Sequence, residues 1–96
     1  MRKDEIIKIL SNYKNEYAEK YGIQKIGVFG SVARDDIRES SDVDVVVDIS
    51  DADLFLLVGI KNELEEKLQK SVDIITYREN MNPFLKKRID GEAVYV

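Results

Sequence analysis

The chain has 96 residues, of which 44% are hydrophobic and 35% charged, and its net charge is −4. This is typical of one soluble globular domain, and the acidic balance disfavours non-specific nucleic-acid binding, which needs clustered positive charge. There is no cysteine and no histidine, which excludes disulfides, thiolate zinc sites and sites built on imidazole. Catalysis would therefore need carboxylate, Lys, Arg, Ser or Tyr side chains, or a hard metal ion bound by oxygen.

The apolar runs of the chain are too short to cross a membrane. The longest covers residues 54–60, whereas a transmembrane helix needs about 20 apolar residues. The N-terminal segment also lacks the apolar core of a secretory signal. We therefore expect a cytoplasmic protein without membrane association.

The first half of the chain is predicted to form a helix and two strands. Apolar side chains recur at helical spacing through residues 3–20, and Gly22 follows as a residue type that often ends helices. Residues 24–29 and 43–49 are apolar and rich in β-branched side chains, which is typical of strands.

The second half repeats the alternation of helix and strand. We expect a helix up to about residue 69 with Ser50 as its N-cap, and a strand over residues 71–77. Residues 82–91 form a helix with proline in its first turn, and residues 93–96 form a terminal strand. This order predicts one domain over residues 1–96, with an α/β (α+β) fold in which a small mixed sheet of about four strands packs against helices.

A candidate phosphate site follows the first strand. Gly30 and Ser31 end that strand, and we expect them to open a short helix over residues 31–36. Free N–H groups at such a turn attract anions, and glycine lets a bulky anion approach the backbone. Ser31 adds a hydroxyl donor, and Arg34 would lie on the same helical face.

A candidate metal site lies on the next two strands. Asp42 and Asp44 are two residues apart in an apolar strand, so they point the same way, and Asp73 interrupts a later apolar strand. Clustered carboxylates repel one another unless a cation lies between them. One or two Mg²⁺ ions would satisfy them, and Mg²⁺ usually binds substrate phosphates as well.

Each aspartate also has a simpler interpretation. Asp42 would suit a turn after the serines at 40 and 41, and Asp44 would suit a solvated position on a one-sided sheet. The three aspartates together with Gly30 and Ser31 favour the metal site.

This combination resembles the nucleotidyltransferase superfamily named for DNA polymerase beta. Within it, the chain is most similar to the minimal nucleotidyltransferase (MNT) group, typified by G-S-x-A-R-G, then S-D-x-D, a strand with V-D, and a helix that begins with proline. Here these motifs read G-S-V-A-R-D, S-D-V-D, V-D-I-I-T and N-P-F-L-K-K-R-I-D-G, and the resemblance covers essentially the whole chain. The departure is Asp35, where the family usually has glycine in a position that suits a left-handed residue.

The resemblance implies a polymerase beta-like fold and Mg²⁺-dependent transfer of AMP from ATP. By matched position, Asp42, Asp44 and Asp73 would bind two Mg²⁺ ions, and Asp73 would also help to deprotonate the acceptor hydroxyl. Gly30 and Ser31 would hold the triphosphate with support from Arg34.

The resemblance also implies a protein partner. MNT proteins commonly pair with HEPN-domain toxins, and some neutralise the ribonuclease by adenylylating it. We therefore expect an antitoxin that modifies a HEPN toxin, does not bind nucleic acid directly, and forms a homo-oligomer or a hetero-oligomer. Two alternatives stay open: a module that neutralises its partner by binding alone, and, less favoured because no acceptor domain is present, an antibiotic-modifying enzyme.

Overall fold

A computed structural model describes residues 1–38 and 40–96 as alternating helices and strands. In chain order these are α1 Lys3–Tyr21, β1 Ile23–Phe29, β2 Val43–Ile49, α2 Leu54–Leu68, β3 Val72–Thr76, α3 Pro83–Glu92 and β4 Val94–Tyr95. Each predicted strand, α1 and α3 are found within two residues of their expected bounds, and α2 ends within two residues of its expected end. Helix α2 begins three residues later than a cap at Ser50 predicts. None of the described helices is long and apolar enough to cross a bilayer.

The four strands form one mixed sheet in the order β3-β2-β1-β4. Strand β1 pairs antiparallel with β2 and β4, whereas β2 and β3 run parallel. The predicted fold class is therefore confirmed, and β2 and β1 are the two central strands. Their dense β-branched sequences suit positions with neighbours on both sides.

The two faces of the sheet are covered by different helices. Helices α1 and α2 pack on one face, where their buried side chains meet alternate residues of the strands in the main core. Helix α3 packs on the other face through Ile89, which contacts Phe29 and Val46 in a smaller cluster. Because side chains alternate along a strand, Asp44 and Asp48 share the α3 face with Val46.

The helix ends follow local chemistry. Gly22 ends α1 in the left-handed conformation at φ +70°, as predicted. The side chain of Asn82 caps α3 by accepting hydrogen bonds from the N–H groups of Phe84 and Leu85, with Pro83 in the first turn.

The expected cap of α2 is wrong. Asp53 is the N-cap, and its carboxylate accepts a hydrogen bond from the N–H of Leu56 at 2.8 Å. Ser50 instead lies in the turn after β2, where its hydroxyl accepts a hydrogen bond from the side chain of Gln24 at 2.7 Å. Serine and aspartate are both good N-caps. The turn after β2 is three residues longer than expected, so the helix begins after Asp53 and not after Ser50.

The expected short helix over residues 31–36 is also wrong. The N–H of Arg34 donates to the carbonyl of Gly30 at 3.1 Å, but the N–H of Asp36 donates to the carbonyl of Ser31 at 2.8 Å, so the helical ladder does not continue. Asp35 has a left-handed backbone at φ +57°, which ends the turn at once. The left-handed conformation expected for this position is thus present, with aspartate in place of glycine.

Candidate active site

The predicted site residues meet at one end of the α3 face of the sheet. Strand β1 ends there, and β2 and β3 begin there. Asp44 is paired in register with Phe29 on one side and with Asp73 on the other. Asp42 lies just before β2 and is exposed, as is Asp73, whereas Asp44 is half-buried. The sheet therefore brings Asp73 beside Asp44, although the two are 29 positions apart in the sequence.

Asp44 lies in a strongly perturbed electrostatic environment. Burial and the nearby carboxylates of Asp73 and Asp42 raise the pKa of Asp44 above its ordinary value. The guanidinium groups of Arg88 and Arg34 act in the opposite direction, but they do not cancel the increase. A cation at this point would relieve the repulsion.

The carboxylates suit a hard divalent cation by their chemistry, since Mg²⁺ prefers carboxylate oxygen. They do not form a closed cage. Within residues 1–38 and 40–96, no three Asp, Glu, His or Cys side chains are close enough together to hold a metal ion. The carboxylate donors and the strand register fit a Mg²⁺ ion. To complete the coordination of that ion, the side chains of Asp42 and Asp73 would have to turn towards Asp44.

Beside Asp44, three donors converge on one carboxylate, that of Glu92 at the end of α3. The N–H of Gly30 donates to Glu92 Oε1 at 3.0 Å. Arg34 Nη1 donates to Oε1 at 3.3 Å and to Oε2 at 3.2 Å, and Arg88 Nη2 donates to Oε1 at 3.4 Å. We call Gly30 N–H, Arg34 and Arg88 the anion cradle.

The anion cradle stabilises negative charge. Burial acts to raise the pKa of Glu92, but the N–H of Gly30 and the guanidinium groups of Arg34 and Arg88 outweigh it and hold the pKa below its ordinary value. We call Asp44 and its cross-strand neighbour Asp73 the carboxylate pair. Arg34 and Arg88 also act on Asp44, so the cradle and the carboxylate pair form one electrostatic unit.

Gly30 joins the two parts of the site. Its backbone is left-handed at φ +70°, and a Cβ there would collide with the carboxylate of Asp44. A side chain at position 30 would force the carboxylate of Asp44 to move, so glycine here lets the backbone after β1 lie against Asp44. Ser31 follows in the same turn and is half-buried.

Asp35 lies outside the cradle. It lines a groove beside the start of α1, together with Arg2, Lys3 and Ile37. Its carboxylate therefore does not occupy the place where Glu92 meets Gly30 and Arg34.

Residues 4–96 match the family described as Polymerase beta, Nucleotidyltransferase. The chain belongs to this family. The match confirms the resemblance inferred from the motifs.

Curated relatives cover nearly the whole chain. A Methanocaldococcus jannaschii protein named "Putative protein adenylyltransferase MJ0126" is 38% identical over 93 residues, which are 96% of this chain and 95% of the relative. Protein adenylyltransferase MntA of Thermococcus cleftensis is 35% identical over 94 residues, which are 97% of this chain and 94% of the relative. The family match and these relatives confirm that the chain is a nucleotidyltransferase.

Solved structures share the fold. One, described as "Structure of putative minimal nucleotidyltransferase", has a TM-score of 0.79 and 28% identity, and the match covers 98% of this chain and 95% of that one. Another, "Crystal structure of the toxin-antitoxin with AMP-PNP", has a TM-score of 0.73 and 21% identity, with coverage of 88% and 69%. The first match confirms that this nucleotidyltransferase is of the minimal type, and the second, at its lower identity, shows a shared fold.

Two residues of this nucleotidyltransferase site were missed by sequence reasoning. Arg88 and Glu92 are four residues apart on α3 and form an ion pair at 3.4 Å, and the guanidinium of Arg88 also lies 6.0 Å from the ring centroid of Phe29. Their spacing is visible in the sequence, but the same spacing occurs on many solvated helix faces. Only the packing of α3 against the end of β1 identifies them with the site.

Proposed function

We propose that this nucleotidyltransferase transfers AMP from ATP to a protein acceptor, with Mg²⁺ bound by Asp42, Asp44 and Asp73. The observation that carries the proposal is the contact between the anion cradle and the carboxylate pair. Gly30 approaches Asp44 so closely that a Cβ would collide with it. A nucleotide whose phosphates lie in the cradle would therefore also meet the carboxylates that hold its metal.

The chemistry follows from these positions. Gly30 N–H, Ser31, Arg34 and Arg88 bind the triphosphate and orient its α-phosphate towards Asp44. Mg²⁺ held by Asp42, Asp44 and Asp73 would supply positive charge that neutralises the phosphates and polarises the α-phosphorus. An acceptor hydroxyl oxygen forms a bond to the α-phosphorus, the α–β phosphoanhydride bond breaks, and pyrophosphate leaves. Asp73 takes the hydroxyl proton.

The acceptor in this proposal is a HEPN ribonuclease toxin, and the chain is its antitoxin. Relatives named as protein adenylyltransferases support a protein acceptor, and the fold neighbour crystallised as a toxin–antitoxin with AMP-PNP supports a toxin partner and ATP as the nucleotide. Residues 1–96 act as one domain in this proposal, and the cytoplasmic location stays a prediction.

A second candidate function is neutralisation by binding alone. It is favoured by the open arrangement of the carboxylates, because no three of them form a ready-made metal site in the described part of the chain. It is also favoured by the presence of Glu92 in the anion cradle. In this case the fold would serve as a rigid surface for the toxin.

One experiment separates these two functions. The protein is incubated with labelled ATP, Mg²⁺ and the partner toxin, and wild type is compared with the Asp42→Asn, Asp44→Asn double variant. We expect label on the toxin with wild type and a loss of at least about 100-fold in the variant, on the scale of removing a main electrostatic element of an active site.

Asp48→Asn is the matched control. Asp48 lies on the same face of β2 but four residues further along, at the other end of the strand, so it should keep wild-type transfer. Neutralisation by the double variant without any transfer by wild type would contradict the catalytic proposal and support binding alone.

A further inference from the structure

We propose that Glu92 is a built-in competitor of the nucleotide: its carboxylate occupies the anion cradle until the phosphates of a nucleoside triphosphate displace it. This inference rests on the proposed function for the identity of the anion, but its geometric basis is independent. Three donors, Gly30 and Arg34 from the turn after β1 and Arg88 from α3, converge on the one side chain.

The hydrogen bonds from the cradle are concentrated on one oxygen of the Glu92 carboxylate. Oε1 of Glu92 receives bonds from Gly30, Arg34 and Arg88, whereas Oε2 receives one bond, from Arg34. A carboxylate oxygen has two lone pairs, so three donors crowd it. A terminal phosphate has three acceptor oxygens, and guanidinium groups bind phosphate in a forked geometry. The cradle is therefore better matched to a phosphate than to the side chain that fills it.

The position of Glu92 on its helix supports the same view. It is the last residue of α3, where the helix dipole disfavours negative charge. Its orientation is explained by the cradle, which lies on the β1 side of the helix end. Glu92 therefore depends on Gly30 N–H, Arg34 and Arg88 for stabilisation and gains none from the dipole of its helix.

The contact between Glu92 and the cradle is also easy to break. Glu92 is 23% exposed, and Arg34 and Arg88 are 51% and 54% exposed, so solvent can replace the ion pairs. The backbone around Glu92 is held, because the N–H of Ala93 donates to the carbonyl of Ile89 at 2.9 Å and β4 follows at once. Only a side-chain rotation is needed to open the cradle, and the fold stays unchanged.

Such a competitor lowers the apparent affinity for ATP. The measured dissociation constant is the intrinsic one divided by the fraction of molecules whose cradle is open. Removing the charge of Glu92 should raise that fraction and tighten binding. A residue that merely positioned the two arginines would give the opposite result, since its loss would loosen them and weaken binding.

The test measures the affinity of Glu92→Gln for ATP and for inorganic tripolyphosphate by calorimetry. Glutamine keeps the size of the side chain but has no charge to hold Arg34 and Arg88. We expect binding of both probes to tighten by roughly three- to tenfold, the scale of a partly exposed ion pair. Asp90→Asn is the matched control, since it removes one negative charge two residues away and should leave both affinities unchanged.

The results separate this inference from the proposed function. Affinities of Glu92→Gln equal to or weaker than those of wild type overturn the inference even where AMP transfer is observed. Tighter binding with no AMP transfer supports the inference and contradicts the proposed catalysis. Equal tightening of binding in Asp90→Asn also overturns the inference, because the loss of any nearby negative charge would then explain the result.

A second measurement needs no variant and covers the case in which Glu92→Gln does not fold. The carbon resonance of the Glu92 carboxyl is followed by NMR while ATP is added to wild type. We expect it to shift together with the amide signal of Gly30, with the same midpoint. A Glu92 signal that stays fixed while Gly30 responds would overturn the inference.

Discussion

The two faces of the sheet differ in what they cover and in what they can do. On the face packed by α1 and α2, the β2 residues Val43, Val45 and Val47 are fully buried. On the face packed by α3, the same strand has Val46 fully buried but Asp44 half-buried. One strand therefore contributes to a closed core and to an open polar site, because its side chains alternate.

The difference explains why an apolar strand can include aspartates. Helix α3 covers the middle of its face through Ile89 and leaves the end with Asp44 and Asp73 uncovered. The closed face, packed by α1 and α2, stabilises the fold. On the open face, packed by α3, neighbouring carboxylates repel one another.

The largest effect on stability should come from the closed face. Leu64 on α2 is fully buried, and Leu64→Ala should reduce the free energy of unfolding by about 3 kcal/mol, through lost apolar contact and a cavity. Urea unfolding measures the change. Leu54→Ala is the matched control on the same helix, because Leu54 is 72% exposed, and it should change stability by less than about 0.5 kcal/mol. Similar losses in both variants would contradict the assignment of the core.

A smaller loss of stability is expected on the open face, where the backbone of Gly30 lies close to Asp44. Gly30→Ala would place a Cβ against the carboxylate of Asp44 in a left-handed backbone. It should cost about 2 kcal/mol of stability and weaken ATP binding, as measured by urea unfolding and calorimetry.

Gly59→Ala is the control for this glycine. Gly59 lies within α2, and an added Cβ there meets no atom within 4 Å. Alanine should therefore stabilise the helix by about 0.5–1 kcal/mol. A Gly30→Ala variant as stable as wild type would show that the approach of β1 to Asp44 is not required.

Sequence reasoning was most successful where the determinants are local. The apolar run of 43–49, the stop at Gly22 and the helix start at Asn82 and Pro83 each depend on residues within a few positions. Each failed prediction of local structure was decided by one residue, Asp53 at the cap of α2 and Asp35 in the turn after β1. The segment 31–36 contains no strong helix breaker, yet it ends after one turn because Asp35 adopts a left-handed conformation.

The site was only partly predictable, because some of its contacts are local and others join distant parts of the chain. Alternation along a strand places Asp42 and Asp44 on one face, but only the parallel register of β2 and β3 sets Asp73 beside Asp44. Arg88 and Glu92 needed the docking of α3 against the end of β1. Strand order and helix docking depend on long-range packing, which local patterns do not encode.

Two substitutions in β2, one on each face, should change the free energy of unfolding in opposite directions, and the change on the open face is the smallest predicted here. Asp44→Asn removes repulsion with Asp73 and should raise the free energy of unfolding by about 0.5 kcal/mol without metal, the scale of a cross-strand pair. Val45→Thr, one residue on and fully buried on the closed face, should lower it by about 1–2 kcal/mol, because a buried hydroxyl lacks a partner. Urea unfolding with a chelator measures both, and a loss of stability in Asp44→Asn would contradict the repulsion.

The pH dependence of the Asp44→Asn gain sharpens this test. Burial and Asp73 raise the pKa of Asp44 above its ordinary value of 3.8, so between the two values the folded state binds more protons than the unfolded state. The free energy of unfolding then falls as pH rises through that window. The gain from Asp44→Asn should be full at neutral pH and should disappear below the ordinary value, where Asp44 is protonated in both states.

The difference between variant and wild type is the useful quantity here. Glu92 and Glu65 have lowered pKa values, so they contribute stability at neutral pH that is lost in acid, which masks Asp44 in the wild-type curve alone. Subtraction removes them, since both are present in each protein. A gain that persists unchanged at pH below 3.8 would mean that packing, and not charge, distinguishes the open face from the closed one.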